Sequence, residues 1–112
     1  MPVKNQTKLI IKDAFTATPG PRFRAQGPFS GQMFREEILE PRFIAARGNH
    51  ESLLDDLDGG YGYGTSFLEE AFGGLAEKHG KEAVLDTLDF KSEEEPYWVD
   101  AIRGYIRTRK SK

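Results

Sequence analysis

The window DGGYGYGTSFLEEAFGGL, from Asp58 to Leu75, constrains this chain more than any other. It follows an apolar run, Ser52 to Asp58 (SLLDDLD), and packs four glycines between Gly59 and Gly64. Glycine tolerates the sharp backbone reversals that other residues resist, so the chain must leave a strand and enter a helix within a few residues. Beyond the loop, Leu68, Phe72 and Leu75 recur at helical spacing. Ser66 and Glu69 read as a capping box, and Gly80 marks the helix end. Gly73 and Gly74 within that helix each cost about 1 kcal/mol relative to alanine. A close approach must compensate for them, and the sheet is the simplest neighbour.

The flanking sequence extends this strand-loop-helix unit in both directions. Thr7 to Lys12 (TKLIIK) has the β-branched, apolar character of a first strand. Asp13 to Phe29 holds Pro19, Gly20, Pro21, Gly27 and Pro28, which excludes a long regular element but leaves Arg22 to Ala25 as a short edge strand. Ser30 caps a helix that Pro41 should kink between Glu37 and Pro41, with Gly48 and Asn49 ending it. Lys81 to Leu85 reads as a helical turn and Thr87 to Phe90 as a third strand. Ser92 and Glu95 form a second capping box before a final helix striped by Trp98, Ile102, Tyr105 and Ile106. With 112 residues the whole is one α/β domain: a small mixed β-sheet packed by about three α-helices. Residues 7–90 supply the core, 92–107 the C-terminal helix and 108–112 a basic tail.

Composition narrows the chemistry. The absence of cysteine excludes disulfides, thiolate metal sites and cysteine nucleophiles. His50 and His79 lack a third ligand at metal-site spacing, so neither a metal nor a cofactor is expected. The pairs Asp55 with Asp56 and Glu69 with Glu70 are poor acid–base dyads, because neighbours on a strand face opposite sides and a helix start favours charged carboxylates. An enzyme is not expected. A net charge of -2 disfavours nucleic acid as partner, despite the basic tail. No apolar run of membrane length and no secretory leader is present, so the expected compartment is the cytoplasm.

The loop itself admits two readings. Gly59 to Gly64 followed by Thr65 and Ser66 resembles a phosphate-binding loop, and a small phosphate- or nucleotide-binding protein using residues 59–66 is the alternative function. Yet Thr65 stands where the P-loop has lysine, Phe67 breaks a dinucleotide fingerprint, and Asp58, Glu69 and Glu70 repel phosphate. The plainer reading is a sharp turn, two tyrosines covering the core edge and a hydroxyl cap.

Taken together, PGPRFRAQGPFSG, SGQMFREEILEPRF and LDDLDGGYGYGTSFLEEAFGGL resemble the bacterial STAS-like family of unknown function, related to the anti-sigma-factor antagonist STAS fold. The resemblance covers roughly Phe15 to Gly80. It implies an interaction module in bacterial signalling whose partner is a GHKL-type ATPase or kinase. It also implies phosphorylation at the helix start, where Thr65 matches best with Ser66 beside it. Gly64 replaces the aspartate that antagonists place before that hydroxyl. Candidate partner-binding residues are Arg22, Arg24, Tyr61, Tyr63 and Glu69.

Overall fold

A computed structural model of the chain describes residues 5–60 and 62–109. Tyr61 and the last residues of the basic tail, Lys110 to Lys112, lie outside the described residues. Strand β1 (Gln6–Ile10), β2 (Ser52–Asp56) and β3 (Leu88–Lys91) form one sheet in the order β1-β2-β3. Both pairs are parallel, with Leu9 opposite Asp55 and Asp55 opposite Phe90. Parallel strands in sequential order require two crossovers, and the right-handed rule places both on one face. Burial follows that geometry. Leu9, Leu53, Asp55, Leu57 and Leu88 are buried beneath the helices, while Lys8, Asp89 and Lys91 on the other face are exposed.

Four helices cover that face among the described residues. α1 spans 31–48, α2 spans 65–79, α3 is Lys81–Thr87 and α4 is Tyr97–Thr108. Ser30 caps α1 as predicted, its hydroxyl oxygen accepting from the Met33 N–H at 3.0 Å. Pro41 has no N–H to give to residue 37, and the predicted kink takes the form of a wide π-helical turn over Arg35–Leu39. A second wide turn, Glu69–Gly73, interrupts α2. Four phenylalanine rings join these helices: Phe34 stacks on Phe67 at 5.7 Å, meets Phe72 at 6.2 Å and packs on Phe15 at 5.2 Å. Gly31 is required at this crossing, since a Cβ there would sit 2.5 Å from the Phe67 carbonyl oxygen. The predicted stripe of α4 packs inward through fully buried Ile102 and Ile106, with Trp98 and Tyr105 partly buried.

Several predicted details need correction. The sheet is parallel rather than mixed over the described residues, and the candidate edge strand Arg22 to Ala25 is no strand. Residues 20 to 29 close on themselves through the Gly20 N–H to Phe29 carbonyl bond, and Arg24–Gln26 form a single 3-10 turn. β1 ends at Ile10, where Ile11–Ala14 wind into a helical turn. α2 begins at Thr65 with Gly64 as its N-cap, and no side chain caps it, so the Ser66–Glu69 box does not form. Nor do Ser92 and Glu95 cap α4: the Ser92 hydroxyl donates to the Glu95 carbonyl at 2.7 Å, and the helix starts at Tyr97 after Pro96. Gly73 and Gly74 approach arginine side chains, not the sheet. A Cβ would lie 2.7 Å from Arg35 Nε at Gly74 and 3.3 Å from an Arg109 guanidinium nitrogen at Gly73.

Phe72 is fully buried between Phe34 and Phe90. Phe72→Ala should therefore cost about 3 to 5 kcal/mol in urea denaturation. A midpoint equal to that of the parent chain would contradict the core described above.

Candidate functional site at the strand-to-helix junction

The loop between β2 and α2 is shaped by hydrogen bonds to the loop after β3. The Asp58 N–H donates to the Asp56 carboxylate at 2.9 Å. The Asp58 carboxylate in turn accepts from the backbone N–H groups of Glu93 and Glu94 at 3.1 and 3.0 Å. Those backbone donors, chiefly that of Glu94, with Lys91 nearby, hold the Asp58 carboxyl below the usual carboxylate range. Gly59 has φ +85° and Gly62 has φ +122°, conformations that L side chains rarely adopt. At Gly59 space is also short, because a Cβ would meet the Lys12 side chain at 2.5 Å. The Gly59 N–H donates to the Glu94 carboxylate. An internal carboxylate thus occupies the amide that an anion would need, which weighs against phosphate in this loop.

Thr65 and Ser66, by contrast, are exposed at the start of α2. Four residues on, the Glu69 carboxylate forms an ion pair with Arg22 at 2.7 Å. Residues 65 and 69 are one helical turn apart, so Arg22 pairs with the carboxylate one turn beyond Thr65. Further bonds pin the proline-glycine loop to α1: Gly31 N–H to Pro21 carbonyl at 2.8 Å and Gln32 N–H to Arg22 carbonyl at 3.0 Å. Arg24 pairs with Glu36 and Glu37, each at 2.9 Å. Its hydrogen bond lowers the pKa of Glu36. On the same loop Phe23 and Phe29 are 44% and 40% exposed, large apolar surfaces held out by an ordered backbone.

The candidates therefore separate. Arg22, Glu69, Thr65 and Ser66 lie around the first turns of α2, whereas Arg24 is held to Glu36 and Glu37 of α1. Tyr63 does not join them: its ring is buried against Phe67 and Trp98, and its hydroxyl donates to the Leu57 carbonyl at 3.1 Å. That burial pushes its pKa up. His79 is half-buried on the Phe43 ring and pairs with Glu40 at 2.7 Å. His50 is exposed, with φ +56°. Among the described residues no group of three or more His, Cys, Asp or Glu side chains could hold a metal ion. No described helix is long and apolar enough to cross a membrane.

Residues 30–98 match the family described as a STAS-like domain of unknown function. That is well over half of the 112 residues. The chain belongs to this family. No curated protein and no solved structure is significantly similar to it. The matched segment of the STAS-like domain runs from the Ser30 cap through both wide turns and the glycine-rich junction to Trp98, so it contains Thr65, Ser66 and Glu69. Arg22 and Arg24 precede it and meet it only through folding.

Two features escaped the sequence reading. A cluster joins buried Arg35 and Glu70 with half-buried Arg109, signalled only by the paired glycines opposite it. Asp55 is the other: it faces the core from the central strand, fully buried, with no hydrogen-bond partner for either carboxyl oxygen. Asp56 points to the opposite face, as strand alternation requires, so the two form no dyad. Desolvation raises the Asp55 carboxyl well above the usual range, with the Asp89 charge adding to it. The folded state therefore binds this proton more tightly than the unfolded chain does. Stability from this group is complete below about pH 4 and falls by about 1.4 kcal/mol per unit as pH rises toward the folded-state value. Asp55→Asn should remove that slope, seen as a parent-minus-variant difference that changes steadily as pH rises above about 4. Parallel stability curves would show that Asp55 does not titrate in the core.

Proposed function

We propose that this STAS-like domain is a protein-docking module rather than an enzyme, acting in bacterial cytoplasmic signalling with a GHKL-type ATPase or kinase as partner. The observation that carries the reading is the surface on which exposed Thr65 and Ser66 open α2 beside the Arg22–Glu69 ion pair. That surface continues into the loop that holds Phe23 and Phe29 toward solvent. Exposed aromatics beside paired charges on a rigid backbone match the composition of transient interfaces.

The same geometry supports control by charge at Thr65. A phosphate adds about two negative charges, and on Thr65 it lies one helical turn from Glu69 and competes with that carboxylate for Arg22. The docking face would then change from a neutral ion pair to a net anionic patch. Ser66 is an equally exposed acceptor, and because it makes no capping bond its hydroxyl is not committed to the helix.

Thr65→Glu is the test, with affinity capture from bacterial lysate as the measurement. The parent chain should retain an ATP-binding protein that Thr65→Glu releases, while the melting temperature stays within about 4 °C. Ser66→Ala should leave stability unchanged, whereas Ser30→Ala should lose about 1 kcal/mol with its capping bond. Arg22→Glu with Arg24→Glu should weaken retention and its salt dependence. Equal retention by Thr65→Glu and the parent chain would defeat charge control at this surface.

A further inference from the structure

β1 forms an edge of the sheet, with β2 as its one strand neighbour among the described residues. The Asn5 carbonyl accepts the Ser52 N–H and Gln6 stands opposite Ser52, so in this parallel ladder residues 5, 7 and 9 turn their backbone groups toward β2. The N–H and C=O of Gln6 and Lys8 point outward. Unpaired backbone of this kind is a template for a further strand, and natural edges are blunted against it by proline, a bulge or a covering segment. β1 holds no proline, and its register with β2 is unbroken. The Lys8 carbonyl is met by a long contact from an Arg42 guanidinium nitrogen, at 3.4 Å.

Alongside this edge runs a groove of about 240 Å³ between β1 and the second half of α1, lined by Thr7, Arg42, Ala45, Ala46, Asn49 and Glu51. Ile44, beside Ala45 on α1, is 54% exposed. A strand added at the edge would turn alternate side chains over this groove and the others beside exposed Lys8 on the open face of the sheet. Charge decides the occupant. A second copy of β1 would bring another Lys8 to the same edge, and like charges across a strand pair are destabilising. We propose that the free edge of β1 receives an extended segment of a partner protein, apolar at the positions over the groove and acidic at those beside Lys8. The segment's backbone N–H takes over the Lys8 carbonyl and releases Arg42 to one of its carboxylates. Glu51 stands at the Gln6 end of the groove, so those carboxylates belong toward Lys8 and Arg42. The edge shares no residue with the Thr65 surface, so the two readings can fail independently.

An acetylated heptapeptide alternating valine and glutamate is the probe, titrated into the full chain with backbone amide NMR shifts as the readout. Saturable shifts centred on residues 6–10 and 42–49 are expected. They should vanish when every peptide amide is N-methylated, which removes the strand donors and keeps the charge. Lysine in place of the peptide's glutamates should weaken binding about fivefold or more, and Lys8→Glu in the protein should reverse that preference. Lys8→Pro should abolish binding, because proline removes an outward N–H and leaves the ladder to β2 intact. Circular dichroism checks that both variants are folded. No saturable shift, equal binding by the N-methylated peptide, or unchanged affinity in both folded variants would overturn the proposal. So would a dimer of the parent chain that Lys8→Pro makes monomeric, since it assigns the edge to a second copy.

Discussion

The buried ion pair between Arg35 and Glu70 is the interaction on which the helical layer depends. Its guanidinium donates to the Glu70 carboxylate at 2.8 Å and, through Nε, to the Glu70 backbone carbonyl at 3.2 Å. Both residues are only 6% exposed. Removing two charges from water is costly, and the attraction offsets that cost only where geometry and hydrogen bonds are good. Both residues sit in the wide turns of their helices, Arg35–Leu39 and Glu69–Gly73. Wide turns of this kind recur at functional positions. Here they place one long cation and one carboxylate where two helices meet.

The surroundings of that pair follow from its needs. Gly74 leaves the space that the Arg35 guanidinium fills. Arg109, just beyond α4, reaches Glu70 at 3.9 Å and Glu77 at 3.3 Å, tying the end of the last helix to the middle of α2. The helix that begins with Thr65 is thereby fixed by ionic contacts in its middle and by the Phe34, Phe67 and Phe72 rings on its buried face. A docking surface at its start can then be rigid although Thr65 and Ser66 themselves are exposed. Three buried polar atoms have no hydrogen-bond partner among the described residues: the other terminal nitrogen of Arg35 and both Asp55 oxygens. Burying these groups without partners costs stability that the surrounding packing must offset.

Much of this was legible in the sequence because it rests on local rules. The spacing of Leu68, Phe72 and Leu75, the cap at Ser30, the break at Pro41 and the stripe of α4 each follow from helical periodicity or proline chemistry. What stayed hidden depends on contacts between segments. Ser66 looked like a cap because a hydroxyl followed three residues later by glutamate is the usual signature, yet Gly64 takes the N-cap position and Thr65 is already helical. The Arg22 to Ala25 segment had the composition of an edge strand but closes as a loop around Gly20 and Phe29. The paired glycines correctly announced a close approach. Their partners are arginines 35 and 109, which only the folded arrangement brings to them. The Asp58 carboxylate likewise meets the Glu93 and Glu94 amides from a loop 35 and 36 residues away in sequence, a distance over which motif reading has no hold.

A double-mutant cycle on Arg35 and Glu70, followed by urea denaturation, tests most directly whether this ion pair holds the helical layer together. Arg35→Met and Glu70→Gln should each lose about 3 to 5 kcal/mol, because either one leaves a buried charge without its hydrogen-bonded partner. The double variant should lose clearly less than the sum of the two. Strictly additive losses, or single losses below about 1 kcal/mol as for an exposed pair, would contradict the account.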